Sequence, residues 1–107
     1  MKNTFSILFY IRTSKQKKDG TTPIYVRITV NGKRSDFSAQ RSITASRWNK
    51  SKTRAKGTTE AVRTLNTYLD TVQALIYEHH QILISKGKFV SAIAIKNAYL
   101  GLSEEKK

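Results

Sequence analysis

Hydrophobic and polar residues alternate along the first forty positions of the chain. Phe5, Ile7, Phe9 and Ile11 interleave with Ser6, Leu8, Tyr10 and Arg12, the period-two pattern of a half-buried strand. A polar break from Ser14 to Thr21 follows, and its Asp19-Gly20 pair is a turn signal. The alternation then returns, with Ile24, Val26, Ile28 and Val30 set against Tyr25, Arg27 and Thr29. Asn31-Gly32 comes next, and both residues tolerate the positive φ of a type I′ turn, so Lys33–Gln40 is predicted to return as a third, antiparallel strand. A two-residue turn fixes the register. Val30 faces Lys33, Ile28 faces Ser35, Val26 faces Phe37 and Ile24 faces Ala39 on one side of the sheet; on the other, Thr29 faces Arg34, Arg27 faces Asp36 and Tyr25 faces Ser38. One face is mostly apolar. The other is wet and basic, carries Tyr25, Arg27, Thr29, Arg34, Asp36 and Ser38, and is extended by Tyr10 and Arg12.

Past the sheet, Ala45–Lys50 reads as a helical turn with Thr44 as N-cap and Trp48 as apolar anchor, followed by a basic loop, Ser51–Gly57. From Thr59 the period changes to 3-4 spacing: Val62, Leu65, Leu69, Val72, Ile76, His79 and Leu83 form one stripe. This predicts an amphipathic helix of about 28 residues, ~42 Å long at 1.5 Å per residue. Thr58 or Thr59 caps it, Glu60 complements its N-terminus and Lys86-Gly87 closes it. That length exceeds what a small sheet covers, so its C-terminal turns need another partner. Ser91 caps a last helix, Ala92–Leu100, which stops at Gly101. The expected class is α+β: a three-stranded antiparallel sheet packed against a long helix, with a short helix before it and a further C-terminal helix. Residues 1–57 would form the contacting part, 58–101 the helical support, and 102–107 the start of a linker.

Charge sharpens this division. The 107 residues carry a formal net charge of +13 and no cysteine, which removes disulfides and Cys-based zinc sites. Residues 1–56 hold 14 Lys+Arg against two acids, Asp19 and Asp36, whereas residues 57–107 hold six against five. A solubility device has no need to be so lopsided. A surface for a polyanion does. No apolar run approaches the ~18 residues that span a bilayer, and Phe5–Ile11 meets Arg12 too soon for a signal peptide. A cytosolic protein with no membrane partner is expected.

Catalysis is poorly provided for. His79 and His80 are adjacent, so on a helix they point about 100° apart and cannot share an ion as an i, i+4 pair does. They read instead as a seam residue and a solvated one. Asp70 and Glu78 stand eight apart, too far for paired carboxylate chemistry, and the glycines fall at turns and caps instead of in a phosphate-cradling loop. No catalytic residue, metal site or cofactor is expected.

Duplex DNA binding fits better. Tyr10, Arg12, Tyr25, Arg27, Thr29, Arg34 and Ser38 share one face, and a two- or three-stranded sheet fits the ~12 Å major groove, where arginine pairs with guanine O6 and N7. Lys15, Lys17, Lys18, Lys33, Arg41, Lys50, Lys52 and Arg54 would meet phosphates around it. Blander readings stand beside these: Arg27–Asp36 as a plain cross-strand ion pair, Tyr10 and Tyr25 as sheet cover, Lys15–Lys18 as a solvated loop, and Trp48 as core. Two other classes remain open. A basic RNA-binding module would share the sheet, and a protein-interaction domain would use the long helix as a seam.

Two stretches, KDGTTPIYVRITVNGKRSDFS (Lys18–Ser38) and SITASRWNKSKTRAKG (Ser42–Gly57), resemble the N-terminal arm-type DNA-binding domain of tyrosine recombinases of Bacteroides-type integrases and conjugative transposons. Thr64–Gly101 resembles the helical part that follows in those proteins. The resemblance implies a three-stranded sheet that enters the major groove at arm sites, in an isolated domain that is monomeric. It also implies core-binding and catalytic domains beyond Lys107 and a full-length integrase that is oligomeric on DNA. Where relatives often carry Pro and acidic residues after the sheet, this chain has Ala45-Ser46-Arg47.

Overall fold

The structure is a computed structural model that describes residues 4–87 and 90–101. Three antiparallel strands, β1 (Phe5–Ile11), β2 (Thr21–Val30) and β3 (Lys33–Thr44), form a sheet in the order β1-β2-β3. A short 3-10 turn, Ala45–Arg47, leads into a small ribbon of β4 (Trp48–Asn49) and β5 (Arg54–Ala55). The long helix α1 (Glu60–Ser85) and the shorter α2 (Ala92–Leu100) complete an α+β fold. The expected linker, 102–107, lies outside the described residues.

The Asn31-Gly32 turn sets the pairing as its residue types require: φ is 52° at Asn31 and 84° at Gly32, and β2 meets β3 in register from Val30↔Lys33 to Tyr25↔Ser38. Beyond Ser38 the expected pairing fails. Pro23 pairs with Ser42, so Ile24 faces three residues, Ala39–Arg41, where a simple ladder would set it against Ala39 alone. Gln40 takes a left-handed φ of 66° in this bulge, its N–H donating to Ser38 Oγ at 2.9 Å. The cause is readable in β2, a central strand that contains a proline. Pro23 has no N–H for the ladder, and a bulge is where a sheet tolerates that. The strand then runs on to Thr44, four residues past the expected end.

Ala45–Lys50 is also not one helical turn. Thr44 stands at the N-cap position of the 3-10 turn without a side-chain bond, and Trp48 enters β4, where it pairs with Ala55. Trp48 is buried, as core. Asn66 of α1 brackets the ribbon's edge: Ala55 N donates to its Oδ1 at 2.9 Å, and its Nδ2 donates to Ala55 O at 3.2 Å.

Period-two alternation places Phe9, Ile24, Val26, Ile28, Val30 and Phe37 in one core with Val62, Leu69, Val72 and Ile76 of α1 and Ala92 and Ile95 of α2. Leu69, Ile76 and Ile95 are fully buried, each worth ~1.5–3 kcal/mol of apolar burial. Thr59 caps α1 by accepting the Val62 N–H at 3.3 Å, and Ser91 caps α2 by accepting the Ala94 N–H at 3.1 Å. The later turns of α1 find their partner in α2, which packs on α1, β2 and β3. His80 departs from its expected solvated place. Its ring stacks on Phe5 of β1 with centroids 4.0 Å apart, and Nδ1 is buried without a hydrogen bond among the described residues. The helices thus cover one face of the sheet.

Candidate nucleic-acid interface

On the other face, the register lines side chains into transverse rows. Ser6, Thr29 and Arg34 form one; Leu8, Arg27 and Asp36 the next; Tyr10, Tyr25 and Ser38 the third. Arg12 stands just past the end of β1, where its N–H donates to Pro23 O at 3.1 Å. All seven residues expected to read bases therefore lie on or at the rim of one surface.

Asp36 organises the middle of that surface. It accepts the Tyr10 hydroxyl at Oδ2, and Arg27 Nε donates to Oδ1 and Oδ2 at 3.3 and 3.2 Å. Arg27 Nη2 stands 3.1 Å from Oδ2, and Arg12 Nη2 3.5 Å from the same oxygen. Arg12 also donates from Nε and Nη2 to the Tyr10 hydroxyl at 3.3 and 3.0 Å, with its guanidinium 4.0 Å over the Tyr25 ring. One carboxylate and two tyrosines thus hold two arginines, and the cluster keeps a net positive charge. Partial burial pushes the Asp36 carboxyl up, but the hydrogen bonds from Tyr10 and Arg27 and the charges of Arg27 and Arg12 outweigh it and hold it below its ordinary value.

The geometry matters for what Arg27 can still do. Asp36 engages its Nε and Nη2, the side of the guanidinium fork, and Nη1 has no hydrogen-bond partner among the described residues. The outer end of the fork stays available for a planar two-acceptor partner such as guanine O6/N7. Ser38 is spent on the bulge, accepting from Gln40 N. Arg34 is exposed, with no ion pair among the described residues.

The eight cations expected at phosphates are spread unevenly. Lys15, Lys17 and Lys18 are exposed on the β1–β2 connection at the Tyr10 end, and Lys17 Nζ donates to Ser42 Oγ at 2.8 Å. Lys33 is exposed at the opposite end, where its pairing with Val30 sets it on the helix-side face of β3, while Lys50 and Lys52 are exposed at the tip of the β4–β5 ribbon, which is tied to α1. Arg41 and Arg54 are placed differently. Arg41 lies 3.9 Å over the ring of Tyr68 from α1, and Arg54 is tied to α1 by Asp70 Oδ1 at 2.7 Å and Gln73 Oε1 at 2.9 Å. Its guanidinium also stands 5.0 Å over Phe9, a core-side residue, so Arg54 sits on the helix side of the sheet. Three residues of these rows stand outside the expected set: Asp36, which the Arg27 pairing already signalled, and Ser6 and Leu8, whose places in the alternation marked them as outward-facing.

A family model described as Arm DNA-binding domain matches residues 9–96. The chain belongs to that family. No curated protein and no solved structure matches the chain. The matched span of this arm domain holds the whole Tyr10–Arg12–Arg27–Asp36 cluster, both basic loops and most of α2. An arm domain is a non-catalytic unit whose partner is DNA. Among the described residues, no group of three or more His, Cys, Asp or Glu side chains is placed to hold a metal, and no helix is long and apolar enough to cross a membrane.

Proposed function

We propose that the outer face of β1–β3 enters the major groove of duplex DNA and reads arm-type sites for a site-specific tyrosine recombinase of a mobile element, in the bacterial cytoplasm. The observation that carries this reading is the Asp36-braced pair Arg12 and Arg27. A guanidinium fixed on one side and open at its end has lost the rotamer freedom that base contact would otherwise cost it. Residues 1–57 make the DNA contacts and 58–101 support them. Arg12, Arg27 and Arg34, with Tyr10, Tyr25 and Thr29, face base edges. Lys15, Lys17, Lys18, Lys33, Lys50 and Lys52 meet phosphates. The domain by itself acts as a monomer and assembles on DNA through the rest of the recombinase.

The test begins with selection of a bound site from random duplexes, followed by titration of that site and a scrambled duplex across salt. Arg27→Ala is expected to cost ~1–3 kcal/mol on the selected site and little on the scrambled one. Lys17→Ala is expected to weaken both alike and reduce the log–log salt slope by about 0.9. Equal loss on both duplexes for Arg27→Ala would remove the claim of base reading. Tighter binding to structured RNA than to any duplex would replace DNA with RNA as the partner.

A further inference from the structure

Leu8 is an anomaly on the outer face. It is 40% exposed, an aliphatic side chain among Ser6, Tyr10, Thr29, Tyr25 and Arg34, in rows whose other positions are polar or carry a hydroxyl. Its cross-strand partner is Arg27, and its row ends in Asp36. Neighbouring strands lie ~4.8 Å apart and successive bases of one strand rise ~3.4 Å, so two side chains in one row reach the same base pair or adjacent ones. Arg27 is braced to present its fork to a guanine. The feature beside it that an aliphatic side chain can recognise in the major groove is the C5-methyl of thymine.

We propose that Leu8 is a specificity-determining residue that packs on a thymine methyl in the base pair next to the guanine read by Arg27. This rests on the reading of the outer face as the DNA surface. Register supports it: Leu8 cannot move away from Arg27 without turning every β1 side chain to the other face. An aliphatic group at this position makes no hydrogen bond to any base, so its contribution is confined to a methyl. Leu8 then selects thymine over cytosine, a distinction that Arg27 does not make.

The experiment uses the 107-residue chain and the site it selects from random duplexes. Each thymine of that site is replaced in turn by deoxyuridine, which lacks the methyl and keeps every hydrogen-bonding group. One position, next to a guanine, is expected to lose about three- to fivefold in affinity, the worth of burying one methyl. Cytosine there should bind more weakly than 5-methylcytosine. Leu8→Ala is expected to bind the thymine and uracil duplexes equally, Leu8→Met to restore the difference, and Arg27→Ala to retain it at lower overall affinity. Thermal melts of each variant check the fold, which an exposed position leaves intact. No uracil effect at any thymine, or an effect that persists in Leu8→Ala, overturns the assignment while leaving DNA reading in place. Failure of the unmodified chain to select any sequence overturns that reading and this inference together.

Discussion

Replacing Asp36 by Asn tests the brace itself, because the variant keeps the shape and removes the charge. The carboxylate accepts the Tyr10 hydroxyl and both Arg27 Nε contacts, and its side chain is 17% exposed against 29% for Arg27. A hydrogen bond to a charged group is worth ~1.5–3 kcal/mol, and a fully exposed ion pair ~0.2–1 kcal/mol. The intermediate exposure puts the expected loss at about 1–2 kcal/mol, or roughly 4–10 °C in Tm for a domain of this size. The sign of the pH dependence follows from Asp36, whose folded pKa lies below its ordinary value. Such a group contributes stability that is complete above the unfolded pKa, near 4, and is lost as pH falls through the folded one. Thermal melts of the two proteins should therefore differ most at pH 7 and converge as pH falls below about 4. On DNA, the variant gains a net positive charge while Arg27 loses its brace. Affinity for a scrambled duplex should hold or rise while affinity for the selected site falls about three- to tenfold, a split that added charge alone cannot produce. A Tm gap unchanged from pH 7 to pH 2, or equal changes on both duplexes, would refute the brace.

Other consequences are independent of Asp36. Leu69 is fully buried, so Leu69→Ala should lower stability by about 2–5 kcal/mol in urea titration, and a loss below 1 kcal/mol would mean that α1 does not pack as described. Arg54→Ala should lower Tm by a few degrees and leave the salt slope of DNA binding unchanged, because Arg54 is held by Asp70 and Gln73; Lys52→Ala, at the exposed ribbon tip, should do the reverse and cut the slope by about 0.9. Burial holds the His80 imidazole below its ordinary value, so the folded state resists protonation. Stability should be complete above about pH 7 and decline as pH falls through the unfolded value near 6.5 toward the folded one, a decline that His80→Gln should abolish in melts between pH 7.5 and 5.5.

What could be read from residues alone was what local chemistry controls. Asn31-Gly32 dictated a turn whose strained φ values exclude most alternatives, and that turn carried the register of the hairpin as far as Ser38. The two-residue period then put Arg27 opposite Asp36 and both on the face away from the core. The register failed where Pro23 broke the ladder, since a bulge depends on how β3 relieves a missing donor and not on the residues of β3 by themselves. Trp48–Asn49 and Arg54–Ala55 are each two residues long, too short for any periodicity, and the ribbon is held by Asn66 from a helix eleven positions past Ala55. The Tyr10–Asp36 bond joins strands that are not neighbours in the sheet, across the width of β2. Charge alone could not show that Arg54 is tied to Asp70 on α1, because such a partner is set by tertiary contact.

The central claim is that the outer face of the sheet reads guanine in the major groove. Methylation interference on the selected duplex tests it directly, because dimethyl sulfate marks guanine N7 in the major groove and adenine N3 in the minor groove within one experiment. Methylation at one or more guanine N7 positions should exclude the duplex from the complex, with the strongest of these effects missing in Arg27→Ala and adenine N3 methylation without effect. Interference confined to adenine N3, or guanine interference that Arg27→Ala leaves unchanged, would contradict it.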